Sequence, residues 1–123
     1  MDRYAKLIED FTAHMKVEPE HECCGIITKD FSYIPCKNLS SSPKESFILD
    51  PTELLKYAND CWGIFHSHPL HHDELPSEED KYSAVYRQYK FVVGNLNGTF
   101  YEYWLNDREF LQFKKFTEES VCS

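Results

Sequence analysis

Amphipathic helical patterns alternating with short β-prone runs predict a mixed α/β (α+β) fold, a sandwich with helices on a predominantly antiparallel or mixed central sheet. Three observations carry this expectation. Residues 2–14 place Tyr4, Leu7, Ile8 and Phe11 at helical spacing, residues 61–65 form a short continuous apolar run, and Asn97-Gly98 separates two β-prone segments. The chain has 123 residues and is 41% apolar, enough for one core, so residues 1–123 read as a single domain.

Taken in order, residues 2–14 form a helix that lays one apolar stripe on the core. Cys23 to Thr28 and Phe31 to Pro35 flank Lys29-Asp30 as a hairpin, and the polar stretch NLSSSPKE at 38–45 reads as a loop. Ser46 to Leu49 reads as another short strand. Asp50-Pro51-Thr52-Glu53 is a helix start: Asp50 caps, Pro51 suits the first helical position, Glu53 reaches back to the cap amide, and the helix is expected to run to Asn59. The apolar run at 61–65 predicts a strand buried on both faces, stopped by Pro69. Ser77 and Asp80 open a further helix whose apolar face is Tyr82, Val85 and Tyr86. Phe91 to Val93 and Phe100 to Leu105 form a second hairpin, with Tyr101, Tyr103 and Leu105 alternating against Glu102 and Trp104. Phe110 and Phe113 are expected to anchor a C-terminal strand or tail.

Thirteen basic against twenty-one acidic residues give a net charge of -8, which argues against nucleic acid and against an anionic membrane surface as partners. The five cysteines, at 23, 24, 36, 61 and 122, contain no CxxC pair and are odd in number, which fits a reducing compartment better than a zinc ribbon or a disulfide framework. The first fifteen residues carry acids throughout and have no uninterrupted apolar core. No secretory leader and no stretch of transmembrane length is read, so the expected setting is soluble and cytoplasmic.

The chemistry concentrates in FHSHPLHHDELPSEED, residues 65–80, which holds four of the six histidines. His66 and His68 are two apart at a strand end, so their imidazoles leave on one side with Cα atoms about 6–7 Å apart and can converge on one ion. A catalytic zinc site needs a third protein ligand and an open fourth position. Asp80, in the first turn of the next helix, is the candidate. Each signal has a bland counterpart: exposed histidines are common in loops, and Ser77-x-x-Asp80 is also a helix-capping pattern. The ordered conjunction is more specific than either part, and Glu22, just before a β-prone run, adds a carboxylate of the kind a hydrolase uses as a base.

The pattern Glu22-x-Cys24-Gly25, then His66-Ser67-His68-Pro69, then Ser77-x-x-Asp80 resembles the JAMM (MPN-plus, Mov34-type) zinc metalloproteases, whose fold is similar to that of the cytidine deaminases. The similarity spans most of the chain, including Cys36-Lys37-Asn38 and FILDPTELL at 47–55, and within the family it is nearest to the JAMM domains at the N-termini of lambda-like phage tail assembly proteins. The resemblance implies Zn2+ as cofactor, His66, His68 and Asp80 as its ligands, Glu22 as general base and Ser77 as the hydroxyl that stabilises the tetrahedral intermediate. It also implies a protein or peptide substrate, phage tail proteins as partners, and a place in the host cytoplasm during assembly or in the virion tail. A cysteine peptidase domain commonly follows such domains. For these 123 residues the expectation is a stand-alone protein, or one half of a split version with a separate cysteine peptidase subunit.

One departure is a linker of eight residues, 69–76, between His68 and Ser77, where the family usually has seven. The additional residue is expected to bulge within LHHDEL, with His71 and His72 solvated rather than ligating. Three other readings compete with a peptidase acting on a tail protein: a catalytically silent MPN module in tail assembly, a deubiquitinase-like isopeptidase, and a thiol hydrolase using Cys24. Retention of all five site residues speaks against the first. A chain of this length leaves little room for the insertions that grip ubiquitin-like modifiers, and a β-prone setting suits an inert buried Cys24.

Overall fold

The computed structural model describes residues 2–69, 75, 76, 80 and 88–116. Helix α1 spans Arg3–Met15, capped by Asp2, whose carboxylate accepts from the Ala5 amide at 2.9 Å. Strands β1 (Cys24–Thr28) and β2 (Tyr33–Cys36) form the expected antiparallel hairpin. Helix α2 (Pro51–Lys56) is followed by β3 (Cys61–Ser67), β4 (Lys90–Gly94), β5 (Phe100–Leu105) and β6 (Leu111–Lys115). The six strands make one mixed sheet in the order β2-β1-β3-β4-β5-β6, in which β3 and β4 are parallel and every other pair is antiparallel. The expected mixed sheet with flanking helices is what the chain builds.

Side-chain alternation divides the interior into two layers. On one face Ile27, Phe65, Val92 and Phe100 pack against Tyr4, Leu7, Phe11 and Met15 of α1. Phe11 lies parallel to Phe65 with centroids 4.0 Å apart and meets Tyr33 edge-on. Tyr33 crosses β1 over Gly25, where a Cβ would stand 2.6 Å from the Ile34 carbonyl oxygen, and its hydroxyl is 2.7 Å from His14 Nδ1 of α1. On the other face Ile26, Ile64, Val93, Tyr103 and Leu105 receive Leu54 and Tyr57 from α2 and its end. His66 belongs to this second face, because it is two residues beyond Ile64 on β3.

Four local expectations shift. Helix α2 stops at Lys56 instead of Asn59, since the Ala58 amide bonds back three residues to Leu55 and Asp60 turns onto Tyr57, steering the chain into β3. Ser46 to Leu49 forms only an isolated bridge, Asn38 to Leu49, because the Asn38 side chain takes the Ser46 carbonyl and the Ile48 amide that a strand partner would use. The C-terminal strand exists, but Phe110 and Phe113 are 60% and 45% exposed, and the anchor is Phe116 at 1%, its amide bonded to the Phe100 carbonyl. Phe113 sits on the outermost strand of the described sheet and meets Tyr101 edge-on. Glu102, expected to face solvent, is buried opposite Lys114, and burial pushes its carboxyl up against the pull of Lys90 and Lys114.

The 77–87 helix expected from sequence lies outside the described residues, apart from Asp80, whose backbone is helical. Among the described residues no helix is long and apolar enough to cross a membrane. Removing the Phe11 ring should cost about 3–5 kcal/mol, whereas Phe113→Ala should stay within about 0.5 kcal/mol. Chemical denaturation of the two variants measures the contrast, and equal losses would contradict this account of the core.

Candidate metal centre

β3 delivers the histidines because its neighbours hold it on both sides. His66 stands opposite Cys24 of β1 and Val93 of β4, and its ring is fully buried. His68 lies one residue past the strand, yet its amide donates to the Gly94 carbonyl at 2.9 Å, so the ladder persists for one more bond. Buried Asn95 donates from Nδ2 to the Pro69 carbonyl at 3.3 Å and fixes the exit of the chain. Ser67 points the other way: its hydroxyl accepts from the Cys23 amide at 2.8 Å, and its own amide donates to the Cys23 carbonyl at 2.9 Å.

His66, His68 and Asp80 come together, with one donor atom from each within 4.8 Å of the others and all three residues buried. His66 Nε2 is 3.2 Å from Asp80 Oδ1, and His68 Nε2 is 3.3 Å from Asp80 Oδ2. Two ligands at about 2.0–2.1 Å from a tetrahedral zinc are separated by about 3.3 Å. The spacing and the two-nitrogen, one-carboxylate donor set therefore fit such an ion. Glu22 is also buried, and its Oε1 is 3.4 Å from His66 Nδ1, an atom for which the described residues supply no closer hydrogen-bond partner. Of the five residues singled out in the sequence, four are thus gathered at one point. Ser77 lies outside the described residues, as do His71 and His72.

Two neighbours had no signal of their own in the sequence. Phe47 stacks on the His66 ring with centroids 4.4 Å apart and planes 17° from parallel. The hydroxyl of buried Tyr103 is 2.9 Å from His66 Nε2, and burial, with Asp80 and Glu22 nearby, holds it protonated well above the usual tyrosine value. Alternation along β5 placed Tyr103 on a face but not beside a histidine. Cys24 fails as a nucleophile: it is fully buried, and that burial pushes its thiol up to about 12. Cys23, Cys24, Cys36 and Cys61 are all free thiols.

Residues 4–106 match the family of prokaryotic homologs of the JAB domain. The chain belongs to this family. JAB-domain membership agrees with the JAMM pattern read from the sequence and with the mixed sheet described above. The chain is also similar to Tail tip assembly protein K of Escherichia phage N15, with 40% identity over 83 residues, covering 62% of this chain and 33% of that protein. It therefore spans about a third of the length of that curated relative.

The electrostatics set a pH dependence. Burial alone would lower the His66 pKa, but the Asp80 and Glu22 carboxylates outweigh it and raise the value to about 9 when no cation lies between them. The stability that the charged ring contributes to the metal-free protein is fully present below the ordinary value of about 6.5 and is lost as pH rises through about 9. A metal ion must displace that proton. Apparent zinc affinity should therefore rise by about tenfold per pH unit between about 7 and 9, with proton release on binding. Calorimetry in buffers of different ionisation enthalpy checks both effects, and zinc uptake without proton release would contradict this charge arrangement.

Proposed function

We propose that the chain is a zinc-dependent metallopeptidase that hydrolyses peptide or isopeptide bonds during phage tail assembly. The convergence of His66, His68 and Asp80 beside the Glu22 carboxylate carries the reading. Three protein ligands leave a tetrahedral ion one open position, the arrangement of catalytic rather than structural zinc. Bound zinc supplies Lewis acidity and lowers the pKa of water towards neutrality.

The protein's own residues supply the rest. His66 and His68 present neutral nitrogens to the cation, and Asp80 offsets part of its charge. Glu22, kept from bulk water by burial, takes one proton from the attacking water and delivers it to the leaving amine nitrogen as the carbon–nitrogen bond breaks. Ser77, three residues before Asp80, is assigned the donor to the developing oxyanion.

The phage context rests on the similarity to Tail tip assembly protein K, a tail protein that extends well beyond the shared region. That similarity is the ground for proposing tail proteins as substrates or partners, and a separate cysteine peptidase subunit is a further candidate of this proposal. It also supports a location in the host cytoplasm during assembly or in the virion tail. The net charge of -8 favours a protein substrate over nucleic acid or an anionic membrane.

Protein purified without chelator should carry about one zinc per chain, lost in His66→Ala/His68→Ala and in Asp80→Ala. Elemental analysis decides this, and unchanged zinc in the double variant would remove the site. Glu22→Gln should keep the zinc and the fold while hydrolysis of a peptide library or of tail proteins falls by about 10²–10⁴-fold. Near-normal turnover in that variant would move the base elsewhere, most directly to Glu20.

A further inference from the structure

The polar segment after β2, which has no strand or helix of its own, makes contacts that converge on the metal centre. Asn38 uses every hydrogen-bonding position of its side-chain amide. Nδ2 donates to the Glu22 carbonyl at 2.8 Å and to the Ser46 carbonyl at 3.0 Å, while Oδ1 accepts from the Ser40 amide at 2.9 Å and the Ile48 amide at 3.0 Å. The two partners at Ser46 and Ile48 flank Phe47, the residue stacked on His66. The partner at Glu22 is the backbone of the residue whose carboxylate faces His66 Nδ1. The Glu22 amide in turn donates to the Pro43 carbonyl at 2.7 Å, so both main-chain polar groups of Glu22 are held by this one segment.

We infer that Asn38 is a positioning residue that sets Glu22 and the Phe47–His66 stack together, making residues 38–49 a strap that aligns the base with the metal ligand. Glu22 precedes β1 and lies outside the sheet ladder, so its backbone needs fixing from elsewhere. A β-sheet register cannot orient the plane of an imidazole, whereas a ring stacked on it can. Asn38 ties the two tasks to one side chain, so the carboxylate and the imidazole plane cannot shift independently. Outer partners of this kind are worth about 10–100-fold in metal affinity.

The test rests on the proposed zinc reading only in its second arm. First, the ring protons of His66 are followed by NMR in the metal-free protein. Phe47 should shift them upfield in the wild type, and Phe47→Leu gives their unstacked position. Asn38→Asp keeps the acceptor oxygen for Ser40 and Ile48 but sets an oxygen against the Glu22 and Ser46 carbonyls. It should move the His66 signals most of the way to their unstacked position. Asn38→Ala should do the same, and the aspartate variant preserves the test if the alanine variant does not fold. Ile27→Val, on the opposite face of the sheet, should leave the signals in place and controls for general loss of stability.

Second, zinc affinity is measured by chelator competition, and Asn38→Asp should weaken it by about tenfold or more. Wild-type His66 signals and wild-type zinc affinity in both Asn38 variants would overturn the inference. A wild-type protein that takes up no zinc, with the His66 signals still moving in the variants, would support the positioning role and overturn the metallopeptidase reading instead.

Discussion

The register of β3 against β1 is the constraint on which the site depends. Five residue pairs fix it, from Cys24 opposite His66 to Thr28 opposite Cys61 across an irregularity at Ile27/Thr28, and Ser67 adds a reciprocal pair of bonds to Cys23. Because side chains alternate, a slip of one residue would turn His66 toward α1 and bring Phe65 out of its stack with Phe11. The core and the candidate metal centre are therefore specified by the same choice. Apolar packing on the α1 face selects the register, and the register delivers Ile64 and His66 to the other face, beside Glu22.

Burying this many ionisable groups is unfavourable by itself. Asp80 and Glu22 approach one imidazole away from solvent, and the His66 proton is their compensating charge when no cation is bound. A divalent cation would take over that role with more charge, so metal affinity and fold stability are linked, and ligand binding to the folded state alone raises stability by mass action. The neutral Tyr103 hydroxyl and the Phe47 ring complete the enclosure of His66 without adding charge.

Much of this was legible in the sequence, for identifiable reasons. Period 3.6 found α1, the Asp50-Pro51 start found α2, and the apolar run before HSHP found β3, because in each case local pattern and tertiary environment agree. The two-residue spacing of His66 and His68 stated their common direction, Asp80 and Glu22 were candidates from their places at a helix start and before a β-prone run, and the family pattern gave them their roles. What the sequence did not disclose depends on long-range pairing. Tyr103 reaches His66 across β4, and Asn38 replaces a strand ladder with side-chain bonds, which is why the expected strand at 46–49 is reduced to a bridge. Phe116 outranks Phe110 and Phe113 as anchor because its ring packs into the α1-side cluster, edge-on to Tyr4, while the other two stay exposed.

A zinc-soaked crystal, examined by anomalous scattering at the zinc edge, decides whether His66, His68 and Asp80 bind a metal, because it locates the ion and its ligands without needing a substrate. One strong peak bonded to His66, His68 and Asp80 at about 2.0–2.2 Å is expected, with Glu22 alongside but not coordinating. A peak at His71 and His72, or at the cysteines, with none between His66 and Asp80 would contradict it.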